Sequence, residues 1–296
     1  MSGLWVNALV ARTSRTRPST TFESSGTIWL EGSAARAIGW FHTACSLAEE
    51  VWIVAPDHDQ SGTSHSLSLH RPLRVSQKNE HRNSVSGTPG DCVVMAVRHL
   101  MMSGRPDLIL SGINRGANLG VETVFSGTVG AAMTGMLLGI PSMALSQAFS
   151  DRNAVRWDTA RALAPKVIVQ FAKGAWSQGS ILNINFPDVP VGEVGPIELT
   201  TQGTGWMENV QVISAIDPRS LEYHWLSLRH SAREDAAGSE AFAIGRGRIS
   251  VTPLQFERTN QNMLTSRRDR IMSSVSKQSR RPGLLKLAPI LKPDLS

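Results

Sequence analysis

From residue 47 onward, apolar positions follow two alternating spacings. Val51-Trp52-Ile53-Val54-Ala55 is a short continuous apolar run, rich in β-branched residues and closed by Pro56. Such a run suits a strand buried on both faces of a parallel sheet. Asp57 to Ser66 is polar and predicts a loop, and Leu67 to Val75 predicts an extended segment. Gly87-Thr88-Pro89-Gly90-Asp91 predicts a turn with an N-cap at Asp91. Cys92 to Met102 then places Val93, Ala96, Val97 and Leu100 on one helical face. Asp107 to Ser111, Pro141 to Ser146 and Ile181 to Phe186 predict further strands. Val129 to Leu138 and Trp157 to Phe171 predict the helices between them. Alternating strand and helix is the signature of a Rossmann-like, doubly wound α/β fold with a mainly parallel sheet.

After Gly195 the spacing changes. Ile197 to Thr201, Gln211 to Ala215, Tyr223 to Leu228 and Arg248 to Thr252 read as strands without helices between them. They predict an antiparallel β appendage toward the C-terminus. The expected organisation is a divergent segment over 1–46, an α/β catalytic core over 47–195, the β-rich appendage over 196–262 and a basic, loosely ordered tail over 263–296. Within 1–46 a stretch of helix at Ala34 to Trp40 is the one expected element.

Composition narrows the function classes. A chain of 296 residues with 41% hydrophobic content can bury a substantial core. No apolar run reaches the roughly 18 residues that span a bilayer. Two cysteines, Cys45 and Cys92, make no disulfide framework and point to a reducing compartment. The pI near 9.9 is a property of the tail. Residues 266–296 carry eight Lys and Arg against Asp269 and Asp294, a surplus equal to the net charge of +6 for the whole chain. The body is therefore neutral and has no charge excess for tracking a phosphate backbone; neither a nucleic-acid nor a membrane partner is expected.

Candidate chemistry lies in two loops that follow strands: Asp57 to Ser64, and Ser111 to Gly120 running on to Ser126-Gly127-Thr128. In a doubly wound sheet such loops converge at the carboxyl ends of the strands. Their hydroxyl, amide and carboxylate oxygens suit a hard cation, Asn114 among them. The helix start at Ser126-Gly127-Thr128 can hold a phosphate on its free N–H groups, or can simply be an N-cap. GxSxG, GxxxxGK[ST] and HExxH are absent. The reaction class that remains is metal-assisted phosphate-ester hydrolysis.

The order of motifs resembles the SurE family, the stationary-phase survival proteins. The matching text is Val54-Ala55-Pro56, Asp59-Gln60-Ser61-Gly62, Ser64-His65-Ser66-Leu67 and Gly87-Thr88-Pro89. It continues with Ser111-Gly112-Ile113-Asn114, Asn118-Leu119-Gly120, Ser126-Gly127-Thr128-Val129, Asn183-Ile184-Asn185-Phe186-Pro187 and Ile249-Ser250-Val251-Thr252-Pro253. The resemblance spans about 47–260. It implies a cytoplasmic 5′/3′-nucleotidase that releases phosphate from nucleoside monophosphates. It also implies one Mg²⁺ or Mn²⁺ per subunit and a homodimer or homotetramer. It carries the metal-ligand role to Ser61 and Asn114, and suggests Ser64, Asn118, Ser126, Gly127 and Thr128 as phosphate contacts. No catalytic base is assigned.

One departure is chemically important. The family's metal is also held by two adjacent aspartates near the N-terminus, and this chain has no Asp before Asp57. Glu23 and Glu31 do not follow a strand-like run, so they are not expected to substitute. Ser61 and Asn114 are neutral, and without carboxylates they should hold a divalent cation poorly. A shifted reading frame or wrong start upstream of about residue 47 is the expected origin of the divergent segment. The alternative to an active enzyme is a nucleotide-binding or structural relative with an impaired metal site.

Overall fold

The computed structural model describes residues 8–12, 48, 50–102, 104–172, 179–231 and 235–278. In chain order the first elements are β1 (Ala8–Arg12), β2 (Glu50–Pro56), β3 (Val75–Asn79), β4 (Arg82–Val85) and α1 (Pro89–Met95). A π-helical turn, Ala96–Leu100, continues α1. Then come β5 (Leu108–Arg115), a 3-10 turn at Gly120–Val124, α2 (Gly127–Leu137), β6 (Ser142–Gln147), α3 (Trp157–Ala172) and β7 (Ser180–Phe186). The last elements are β8 (Gly195–Leu199), β9 (Met207–Ile216), β10 (Glu222–His230), α4 (Glu240–Gly245), β11 (Arg248–Gln255) and α5 (Gln261–Gln278). The chain divides into two units, Met1–Phe256 and Glu257–Ser296.

In the first unit nine strands form one mixed sheet, in the order β3-β4-β2-β1-β5-β6-β7-β11-β8. Five of them, β2, β4, β5, β6 and β7, run in one direction, as their parallel pairings and the two antiparallel pairings of β1 require. This is the expected Rossmann-like α/β architecture. β1 lies between β2 and β5 and opposes both, with Ala8 opposite Val54 and Ser111. The apolar runs behave as their composition dictates. Ile109, Leu110, Met143, Leu145, Ile184 and Phe186 are buried, because helices cover both faces of the sheet.

Several expectations change. Ile197 to Thr201 and Arg248 to Thr252 do not belong to an appendage. Ile197 to Leu199 fall in β8 and Arg248 to Thr252 in β11, which pair in parallel and join the main sheet through β7. A separate antiparallel sheet does exist, made of β9 and β10. The helix at Pro89 is capped by Thr88; Asp91 is its N3 partner in a capping box, accepting from the Thr88 amide at 2.8 Å. The tail expected to be loosely ordered begins with an 18-residue helix, α5. The expected helix at Ala34 to Trp40, and most of the segment 1–46, lie outside the described residues.

α2 packs against the loop after β2 at very short range. A Cβ at Gly130 would overlap the Ser64 carbonyl oxygen and lie 3.0 Å from the His65 Cα. Helix propensity alone favours Gly130→Ala by roughly 1 kcal/mol. Overlap with fixed backbone costs about 1–3 kcal/mol and decides the sign. Urea unfolding of Gly130→Ala should show a loss of stability; a gain would mean that the loop yields freely.

Candidate active site

The site begins with a bulge. Between the pairs Ser111↔Ala144 and Asn114↔Ser146, β5 spends three steps where β6 spends two. The extra residue bends the strand and re-aims the side chain that follows. Gly112 permits this, with φ of +131° and no room for a Cβ against the Leu145 carbonyl. Asn114 then sits half-buried at the end of β5, its Nδ2 donating to the Gly116 carbonyl at 2.8 Å. The strand therefore runs through the Ser-Gly-Ile-Asn text, where the sequence suggested a loop.

Beyond Asn114 the chain is irregular yet buried through Asn118, Leu119 and Gly120, so its backbone polar groups need partners. The Asn118 amide donates to Asn185 Oδ1 at 2.8 Å. The Asn118 carbonyl accepts from Asn183 Nδ2 at 2.8 Å and from Asn185 Nδ2 at 3.2 Å. Asn118 Nδ2 donates to Ser146 Oγ at 2.7 Å. The Gly120 amide donates to Glu240 Oε1 at 2.6 Å, and the Gly203 amide to Glu240 Oε2 at 2.8 Å. Glu240 is fully buried, and burial pushes its carboxyl above the ordinary value despite those amides.

A cleft of about 570 Å³ opens where the ends of β2, β5 and β6 converge. That volume lies in the range of small-molecule sites. Asp59, Ser61, Asn114, Asn118, Ser126, Gly127 and Thr128 all line it. Six of the seven residues expected from the sequence are thus brought together. Ser64 is not among the lining residues. Its hydroxyl donates to the Val124 carbonyl and its amide to the Phe125 carbonyl at 3.1 Å. Its φ of +59° also marks it as a turn residue.

Each polar group has a definable capacity. Ser126 Oγ accepts from the Val129 amide at 3.1 Å, so that hydroxyl caps α2. The Gly127 and Thr128 amides stand at the first two helical positions and have no acceptor within the helix. With the helix dipole they suit an anion. Arg115 and Arg152 add positive charge to the same lining. The Asn118 amide and one N–H of its Nδ2 are engaged by Asn185 and Ser146, which anchors the loop.

The donor set does not fit a tightly held divalent cation. Ser61 and Asn114 are neutral. Asp59 brings one carboxylate, and its Oδ1 accepts from the Ser61 amide at 2.8 Å. Among the described residues no three His, Cys, Asp or Glu side chains are grouped to hold a metal. β1, which separates the two site-bearing strands, reads Ala-Leu-Val-Ala-Arg and has no acid. Glu23 and Glu31 lie outside the described residues.

The remaining wall was not foreseen from the sequence. Phe125, Phe149, Trp206, Leu228 and His230 line it. Two of these residues come from the β9–β10 hairpin and one from the residue just before it, which no local spacing connects to the loops.

Comparison with known proteins points to one family. The family model described as "Survival protein SurE" matches residues 31–209. That match begins inside the segment expected to diverge. A Burkholderia lata protein named "5'-nucleotidase SurE 1" is 59% identical over 221 residues, 75% of this chain and 85% of the relative. A Parvibaculum lavamentivorans protein named "5'-nucleotidase SurE" is 43% identical over 241 residues, 81% of this chain and 87% of that protein. The crystal structure of the Aquifex aeolicus Sure protein superposes with a TM-score of 0.66 at 31% identity, covering 79% of this chain and 93% of that one.

Glu240 yields a signed prediction. Glu240→Gln places an amide donor against either the Gly120 or the Gly203 amide and should cost on the order of 1–3 kcal/mol at pH 7. A carboxyl with a raised folded pKa contributes stability that is present below its unfolded pKa and lost as pH rises through the folded value. The stability advantage of wild type over Glu240→Gln should therefore grow as pH falls from 7 toward the ordinary Glu range. Urea unfolding of both proteins across that range measures it; an advantage that shrinks would contradict the assignment.

Proposed function

The chain belongs to the SurE family, and on that premise we propose that its cleft takes nucleoside monophosphates, with hydrolysis to nucleoside and phosphate as the reaction. The carrying observation is the convergence of Ser61, Asn114 and the amide end of α2 on one cleft. The relatives' name supports the 5′-nucleotidase part. The 3′-activity rests on the resemblance set out above.

The residues divide the work as follows. The Gly127 and Thr128 amides, at the positive end of α2, receive phosphate oxygens. Arg115 and Arg152 supply countercharge from the rim. Ser61 Oγ and the Asn114 carboxamide oxygen bring neutral oxygens to the same cleft. They are the two ligands this chain would offer to the Mg²⁺ or Mn²⁺ that the resemblance implies. The few cysteines favour a reducing, cytoplasmic setting. Exposed apolar side chains on the hairpin, among them Val212, Ile216, Trp225 and Leu226, favour a homodimer or homotetramer that covers them.

A second reading is favoured by the incomplete donor set: a relative that holds nucleotide without turning it over. Phosphate release from 5′-AMP and 3′-AMP, with added Mg²⁺ or Mn²⁺ and with chelator, separates the two. Turnover abolished by chelator establishes the hydrolase. Nucleotide binding without turnover establishes the binding protein, and absence of both overturns the proposed cleft. Where turnover occurs, Asn114→Ala and Ser61→Ala should each raise the cation concentration required for half-maximal rate. Unchanged cation dependence in both would remove them as ligands.

A further inference from the structure

The cleft is larger than a phosphate needs, and part of its lining is aromatic. Phe125 is 40% exposed and Trp206 and Phe149 are half-buried, so their rings are not consumed by the core. Apolar ring surface beside a polar cleft is costly unless something covers it. A planar heteroaromatic ring covers it best, because stacking needs no fixed hydrogen-bond pattern.

The wall is fixed rather than pendant. Trp206 packs against the small core cluster formed by Leu119, Ala148, Ala241 and Ile244. Its amide donates to Glu122 Oε1 at 3.2 Å, and its carbonyl accepts from the Ser231 amide at 2.9 Å. The other oxygen of the same carboxylate, Glu122 Oε2, pairs with His230 Nε2 at 2.9 Å. Glu122 is only 12% exposed, so this pair is screened less than a surface one. One carboxylate thus ties both ends of the β9–β10 hairpin to the Gly120–Val124 turn. That turn leads directly through Phe125 to Ser126 and the amide end of α2. Phe125 and the phosphate end therefore share one stretch of chain, to which Glu122 ties Trp206.

We propose that Trp206, with Phe125, forms a stacking wall for the nucleobase, and that Glu122 is the positioning residue that holds it. This rests on the nucleotide reading above and adds the part of the substrate that the cleft discriminates. The wall makes the site selective for nucleotides over base-free sugar phosphates, with tolerance among bases.

The test is equilibrium titration of the full chain, in chelator, with 5′-AMP and separately with ribose 5-phosphate. Wild type should bind 5′-AMP more tightly by roughly 5- to 150-fold, the range of one base–aromatic stack. Trp206→Ala should bring that ratio close to one while leaving the ribose 5-phosphate affinity in place, and Trp206→Phe should retain most of it. Glu122→Gln should reduce the ratio without touching the wall's own rings. Because Trp206 also packs on the core, Phe125→Ala provides an independent removal of ring surface at an exposed position. Equal affinities in wild type, or an unchanged ratio in both Trp206→Ala and Phe125→Ala, would overturn the wall and leave the phosphate site standing. A parallel loss of both ligands in every variant would do the same. Binding of neither ligand by wild type would overturn the nucleotide reading itself, and the wall with it.

Discussion

Irregular backbone that is buried must find a partner for every N–H and C=O, and the stretch from Gly116 to Gly120 is irregular and is buried from Asn118 onward. Its partners come from elements far away in sequence. Asn183 and Asn185 on β7 hold Asn118, and Glu240 at the start of α4 holds Gly120. Gln202 Nε2 reaches the Gly120 carbonyl at 2.8 Å. Without these side chains the loop would have to leave the interior, and the amide end of α2 would move with it. β7 and α4 contribute nothing to the lining, yet the shape of the cleft depends on them.

The same constraint explains what was legible in the sequence. Val51 to Ala55 and Ile181 to Phe186 announce themselves because a strand covered on both faces needs a continuous apolar run, which is local information. β3 and β4 do not, since β3 is an edge strand with mostly exposed positions and carries no such run. β8 and β11 were readable as strands but not as members of the main sheet. Their partners are set by non-local pairing, which alternation cannot encode. α5 was missed because its mean hydropathy is low and a surface helix leaves little periodic trace. In the site, Ser61, Asn114 and the α2 start were legible as motifs. Ser64 and Ser126 carried the same motif, but a hydroxyl's job depends on which backbone group lies within reach. For Ser64 that is the Val124 carbonyl, and for Ser126 it is the Val129 amide. Glu240, Trp206 and His230 gave no signal at all, because what they do is defined only by the loop they meet.

The cleft separates two kinds of recognition that rest on different physics. The proposed phosphate binding uses main-chain amides and a helix dipole, which persist whatever side chains surround them. Cation binding needs concentrated negative charge, because a hard dication gives up hydration only for comparably strong ligands. Ser61, Asn114 and an Asp59 already engaged by its own turn supply little of it. The first capacity therefore survives loss of the second. The aromatic wall follows the logic of the amides. It uses ring surface held by a single, mostly buried carboxylate, and it neither contributes to nor depends on charge at the cation side. On the proposed reading, a chain with this division retains the means to select a nucleotide even where the means to hydrolyse it are incomplete. Selection and turnover are then properties of different residues, separable one substitution at a time.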